Sequence, residues 1–137
     1  MQLQDFVKDG ELRRPTMFDA NGEECFFVVK NGTSTGVTFG RATGIESFVV
    51  ITKNRIHSTS MEIAIYPYSH WHKDGAFSAP RDSGSVIGDA NHRIVGMLIG
   101  GAGQTDSIDV TYASPYYFLD ERIKKASSNS HLYPILA

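Results

Sequence analysis

A serine that attacks a carbonyl must project from a tight turn, with backbone N–H groups aimed at the carbonyl oxygen. The stretch Gly75-Ala76-Phe77-Ser78-Ala79-Pro80-Arg81-Asp82-Ser83-Gly84-Ser85-Val86 has the residues for such a turn. Gly84 lets the chain turn closely behind Ser83. Asp82 is able to fold inward and pin the loop through a buried charge contact. The N–H groups of Arg81 and Ser83 then point into a candidate oxyanion hole. Taken alone, Asp-Ser-Gly is also an ordinary polar β-turn, and turn preferences by themselves favour that outcome.

A general base is harder to find. The chain has five histidines: His57, His70, His72, His92 and His131. None precedes the first strand of the barrel outlined below. His57, His70 and His72 fall between strands, His92 on a hairpin turn and His131 in the tail. Loop histidines of this kind are usually exposed side chains without a special role. His70-Trp71-His72 would make a metal pair only with two further ligands at usable spacing, which the sequence does not offer. The reading therefore calls for no metal and no cofactor.

Composition narrows the classes further. The chain has 137 residues and a formal net charge of −2, with both signs mixed along it. That length suits one domain with a single core. The charge gives no electrostatic footprint for nucleic acid or an anionic membrane, so neither is expected as a partner. The apolar runs are too short to span a bilayer. The start, MQLQDFVKDGELRR, lacks the apolar stretch of a signal peptide, and Cys25 is the only cysteine. Both features favour a reducing, cytoplasmic setting as the expectation. Asn31-Gly32-Thr33 matches a glycosylation acceptor, but no export signal accompanies it.

Short apolar runs punctuated by Gly, Ser, Thr and Asn indicate an all-β domain. Residues 1–24 are expected as a linker or N-terminal arm. Residues 25–30 predict a strand that Asn31-Gly32 reverses. Residues 36–51 predict one long or bent strand with Gly40 and Gly44 as bulge points. Residues 61–66 alternate, with Met61, Ile63 and Ile65 on one face and Glu62, Ala64 and Tyr66 on the other. Residues 84–88 and 93–99 predict a hairpin, and 108–113 a last strand. Six strands suffice for a small closed antiparallel barrel. The period then changes. Ser114 suits a helix cap and Pro115 a first turn, and Tyr116, Leu119, Ile123 and Ala126 share a helical face. Lys124 and Lys125 lie at the end that favours positive charge. Residues 127–137 are expected as a tail.

With these elements in order, the chain resembles the chymotrypsin-like (trypsin-family) serine peptidases over roughly residues 25–126. The residues carrying the likeness are Arg81-Asp82-Ser83-Gly84-Ser85-Val86, then Ile94-Val95-Gly96-Met97-Leu98-Ile99-Gly100-Gly101, then Val110-Thr111-Tyr112-Ala113 and the helix from Ser114. The stretch from Lys30 to Val37 is similar to the opening hairpin of that family's second barrel. Among its members, the intracellular type of trypsin-like domain found in fungal proteins looks most similar. The resemblance implies a C-terminal barrel with Ser83 as nucleophile. It implies oxyanion donors at Arg81 and Ser83, loop support from Asp82, and a substrate edge at Ile99, Gly100 and Gly101. It further implies a side-chain pocket with Phe77 and Ser78 near its base, Gly101 on one wall and Val110 on the other.

Three departures from the family pattern stand out. Arg81 occupies a place where glycine is usual; a positive φ there would strain it by about 1–3 kcal/mol. The histidine and aspartate that the family supplies from an earlier barrel have no counterpart ahead of Ser83. No acid occupies the implied pocket floor, and Val110 makes the pocket shallow. The expectation is a serine endopeptidase fragment, nearly inactive alone, acting on peptide or protein substrates with a missing N-terminal barrel or through self-association. Two alternatives stay open: a non-catalytic protease-like barrel used as a protein-binding module, and an unrelated small barrel.

Overall fold

The computed structural model describes residues 2–19, 21–68, 76–102, 110–130 and 132, with residues 44–53, 56–61 and 102 described by their backbone alone. Ahead of the barrel lie β1 (Asp5–Phe6), a five-residue helix α1 (Asp9–Arg13) and β2 (Met17–Phe18). Six longer strands follow: β3 (Glu24–Gly32), β4 (Gly36–Lys53), β5 (Ile56–Pro67), β6 (Val86–Asp89), β7 (Arg93–Ala102) and β8 (Val110–Pro115). The helix α2 (Tyr116–Ala126) follows β8 directly.

Pairing closes β3 to β8 into an antiparallel barrel. The order runs β7-β6-β3-β4-β5-β8, and β7 pairs with β8 to seal it. This is the expected architecture, a six-stranded antiparallel barrel with a C-terminal helix. Closure removes the open edges that six short strands would otherwise present. Period-two alternation decides which side chains enter. On β3, Phe26 and Val28 turn inward while Phe27 and Val29 are half-covered outside. Ile63, Ile65, Ile87, Val95, Leu98 and Ala113 complete the interior. Each large side chain withdrawn from water in this way contributes roughly 1.5–3 kcal/mol.

The N-terminal segment is packed onto the barrel as well. β1 pairs in parallel with β7, Asp5 opposite Arg93 and Phe6 opposite Ile94, and β2 pairs with β3. Val7 and Leu12 are buried within the same hydrophobic core. Mixed polarity hid this in the sequence, because only a few of its residues face inward.

Several local expectations shift. The strands β4 and β5 run further than expected, joined by a two-residue turn at Asn54 and Arg55, both with positive φ. That geometry is the usual hairpin turn, and without a glycine it left little sequence signal. The β4–β5 register breaks between Ala42 and Glu46, which fits a bulge at Gly44. Gly40 instead stays in register, opposite Val28 and Pro67. A Cβ there would lie 2.7 Å from the Phe77 ring and 2.8 Å from Ile65, so its role is close approach within the core. Glu62 and Ala64, on the face of β5 opposite Ile63 and Ile65, are buried as well, Glu62 accepting a hydrogen bond from Ser114 Oγ at 3.0 Å. That bond takes Ser114 away from capping α2, whose N-cap is Pro115. Nor does the expected face of α2 enter the core: none of its residues is buried, Tyr117 packs against the core, and Tyr116 leans on Phe6 with ring centroids 5.2 Å apart.

Candidate active site

The loop from Ala76 to Ser85 lies against the β7–β8 side of the barrel and against the β3–β4 hairpin. Its geometry starts from Asp82, which is fully buried. Asp82 Oδ1 accepts the Ser34 N–H at 2.8 Å and the Thr35 N–H at 3.4 Å. Oδ2 accepts the Thr35 hydroxyl at 2.7 Å and the Ala79 N–H at 3.0 Å. Lys30 Nζ lies 3.6 Å away, its side chain equally buried. Lys30 also donates to Thr35 Oγ1 at 2.5 Å and to the Gly36 carbonyl at 3.3 Å. Burial alone would raise the Asp82 pKa; the hydrogen bonds from Thr35, Ser34 and Ala79 and the Lys30 charge overcome it and hold the carboxyl well below the usual range. Burial pulls the Lys30 ammonium the other way, to a lowered pKa, and Asp82 offsets that only in part.

Close approach explains a glycine here. A Cβ on Gly32 would overlap the Asp82 carboxylate. Asn31 and Gly32, expected to reverse the strand, instead stay paired in β3 opposite Val37 and Gly36; the reversal falls on Thr33-Ser34-Thr35, and Gly32 makes room for the charge. The expected inward fold of Asp82 is therefore what the backbone accommodates.

Pinning Asp82 sets its neighbours. Asp82 N–H donates to the Ala79 carbonyl at 3.1 Å, and Ser85 N–H and Oγ both donate to the Asp82 carbonyl, at 3.0 and 2.6 Å. Gly84 N–H reaches the Leu98 carbonyl at 2.7 Å, and Leu98 N–H returns to the Ser85 carbonyl at 2.9 Å. Arg81 has φ of 81° and Gly84 has φ of 90°. The positive φ at position 81 is the one that glycine adopts freely and arginine adopts at a cost. Among the described residues, no acceptor meets the N–H of Arg81 or that of Ser83. Ser83 itself is exposed. Its hydroxyl donates to the Ile99 carbonyl at 3.3 Å. The β7–β8 register shifts between Leu98 and Gly100, so Ile99 is an extra residue on β7. A bulge of this kind re-aims the backbone groups of the bulged strand.

Beside Ser83 opens a cleft of about 360 Å³. Ala76, Ser78, Ala79, Pro80, Leu98, Gly100, Gly101, Val110 and Thr111 line it with Ser83. Of the residues expected around the substrate, Ser78, Gly100, Gly101 and Val110 come together there. Phe77 does not. Its side chain is buried in the barrel core, and its carbonyl accepts the Thr38 hydroxyl at 2.7 Å. Phe77 anchors the start of the loop instead of lining the cleft, because alternate residues of an extended segment face opposite ways. Ser78 Oγ and Thr111 Oγ1 lie 2.6 Å apart in the cleft, so among the described residues its lining includes a paired hydroxyl couple and no carboxylate.

Sequence reasoning passed over Lys30, Ser34, Thr35 and Thr111. A signal for Lys30 was present: Phe26, Val28 and Lys30 share the inward parity of β3, and a lone cation on a core face calls for a buried anion. Thr111 lies next to the expected Val110 but faces in, opposite Gly101.

His70, Trp71, His72 and His131 lie outside the described residues, as does Gly75. Of His57 only the backbone is described, within β5. His92 is exposed on the β6–β7 turn with φ of 61°.

No protein-family model matches the chain, and no curated protein does. Among solved structures it is similar to Rv3671c from M. tuberculosis H37Rv, solved as a serine-to-alanine mutant in an inactive form. The TM-score is 0.55 at 14% identity, over 93% of this chain and 55% of that one. The chain thus spans about half the length of that protein. At this identity the likeness shows the fold.

Proposed function

We propose that the chain is the nucleophile-bearing barrel of a trypsin-like serine endopeptidase, of the type resembling fungal trypsin-like domains. One observation carries the reading. Ser83 is exposed at the mouth of a cleft, its own N–H and that of Arg81 meeting no acceptor among the described residues, on a turn built over a buried aspartate. Ser83 Oγ attacks the substrate carbonyl carbon and gives its proton to a base. The peptide C–N bond then breaks, the amine leaves with that proton, and water hydrolyses the acyl-serine. N–H groups of Arg81 and Ser83 stabilise the developing oxyanion. Ile99, Gly100 and Gly101 offer backbone to the substrate. The base and its orienting acid come from a separate barrel, so this chain alone is nearly inactive. Uncharged lining favours cleavage after small or modest apolar side chains, since a buried unpaired cation is heavily disfavoured.

The test is peptide hydrolysis and fluorophosphonate labelling of the longest polypeptide that contains this barrel, beside its Ser83→Ala variant. Labelling and turnover that vanish in the variant support the proposal; equal turnover in both would sink it. The barrel on its own should hydrolyse peptides no faster than Ser83→Ala.

A second reading, a protein-binding module without catalysis, draws on a different observation. The Ser83 hydroxyl is bonded to a main-chain carbonyl, and Arg81 stands where strain would be relieved by glycine. Retained peptide binding with no labelling of Ser83 would favour it.

A further inference from the structure

The turn that carries Ser83 is held only in part by its own residues. Among the described residues, every side-chain or ammonium donor to Asp82 comes from the β3–β4 hairpin, together with two of its three N–H donors: the Lys30 ammonium, the Thr35 hydroxyl, and the N–H groups of Ser34 and Thr35. The remaining donor is Ala79 N–H, within the loop itself. Ser34 Oγ adds a bond to the Pro80 carbonyl at 2.6 Å. The cation is fixed in its turn by Thr35, by the Gly36 carbonyl and by the face of Phe77, whose ring centroid lies 5.3 Å from Nζ. Thr35 therefore serves both charges at once.

We infer that Lys30 is a positioning residue, and that the hairpin tip at residues 30–36 is a latch built into the barrel that holds the Ser83 turn in its formed geometry without a charge supplied from elsewhere. The inference deepens the proposed function, since it concerns the assembly of that same site. Its physical basis is the cost of an unpaired buried charge. Without Lys30, Asp82 must leave the interior, take up a proton or admit water. Each outcome moves the peptide units around it, among them those that carry the N–H groups of Arg81 and Ser83. Without Asp82, the ammonium is stranded in the core with the same consequence. A latch made within one barrel implies that the oxyanion donors are already set when a second barrel docks, so that docking supplies the base and nothing more.

Amide hydrogen exchange and ¹⁵N–¹H shifts of the chain test this without any need for catalysis. Three variants are compared with the unaltered chain: Lys30→Met, Thr35→Val, and Val28→Ala as a core variant that destabilises the barrel away from the latch. In Lys30→Met, the Ser34 and Ala79 amides should exchange about a hundredfold faster relative to the β3–β6 strand amides. The Arg81 and Ser83 shifts should move with them. Thr35→Val keeps the side-chain shape, so it guards against a Lys30 variant that fails to fold; it should loosen the Ser34 and Ala79 amides and move the Arg81 and Ser83 shifts as well, to a lesser degree. Val28→Ala should speed exchange across the barrel without singling them out. The inference falls if Lys30→Met or Thr35→Val loosens these amides no more than Val28→Ala does, or leaves the Arg81 and Ser83 shifts in place. Ser83 labelling reports separately on the functional reading, so a latch that responds beside a serine that never labels would remove the enzyme and keep the latch.

Discussion

Two sides of the barrel are finished in opposite ways. At the Ser83 turn, a fully buried carboxylate meets a fully buried ammonium, and polar atoms of the loop are joined to the hairpin tip by bonds of 2.6 to 3.4 Å. Across the outer face of β3, β4 and β5, large apolar side chains stand in water: Val37 is 61% exposed, Phe39 63% and Tyr68 58%. A shallow groove of about 300 Å³ runs between Phe27, Phe39 and Tyr68. The first region invests stability in the shape of a turn. The second contributes little to holding the chain together. If that contrast is right, substitutions on the two sides should differ in cost far more than their sizes suggest.

Asp82→Ala should have the largest effect. It leaves the Lys30 ammonium buried without its counter-charge and strips an acceptor from Ser34, Thr35 and Ala79 at once. Breaking one partner of a buried pair costs about 3–5 kcal/mol. Equilibrium denaturation by urea measures this directly. A loss below about 1 kcal/mol, the range of exposed ion pairs, would mean that water reaches the pair and that the two regions are not so different.

Acid should find the same carboxylate. The folded pKa of Asp82 is depressed, so the unfolded chain binds the proton more readily. The stabilisation is then fully present above the unfolded value of about 3.9. It is lost as pH falls from there through the folded value. Unfolding free energy measured from pH 6 downwards should drop below pH 4 in the unaltered chain. In Asp82→Asn that drop should be shallower, from a lower starting stability. Identical slopes would place the acid sensitivity in other carboxylates.

The contrast also explains what could be read from the sequence. Strand alternation and turn residues were enough for six strands, their order and the helix, because each strand has one face toward a single core. The serine turn was legible too, since Asp82, Ser83 and Gly84 are adjacent. Ser34 and Thr35 were not, and Lys30 showed only its inward parity on β3, because all three reach Asp82 across some fifty residues of chain, and only the closed barrel brings β3 beside β6. Phe77 was misjudged for a related reason: its position beside the loop suggested the cleft, while the parity of its segment turned it into the core. The packed N-terminal segment was missed because its buried residues among those described, Val7, Leu12 and Pro15, lie apart in a polar stretch.

Arg81→Gly tests the turn from the opposite direction and should stabilise. With φ of 81°, Arg81 occupies backbone space that L-residues with a Cβ enter at a cost of roughly 1–2 kcal/mol. Glycine removes that cost but brings more freedom to the unfolded chain, which returns part of the gain. A net increase of up to about 1 kcal/mol in urea unfolding is expected, with the Ser34 and Ala79 amides as protected as before. A loss of stability would show that the exposed arginine side chain makes a compensating contact.

Phe39→Thr should have the smallest effect, and it sharpens the contrast most because phenylalanine is so large. In a core, replacing this residue by a small one costs about 3–5 kcal/mol. Phe39 keeps most of its side chain in water, so little buried surface is available to lose. Its strand is held by the pairing with Val29 across β3, a backbone contact that the substitution leaves intact. Threonine is itself a favourable strand residue, which offsets the lost contact with the groove. The expected change is within about 0.5 kcal/mol, the range for surface positions. Urea unfolding of Phe39→Thr at several protein concentrations measures it. A loss above about 2 kcal/mol at the lowest concentration would show that the outer face of the sheet is part of the fold. A loss that appears only as concentration rises would show that the face is covered in solution by another copy of the chain.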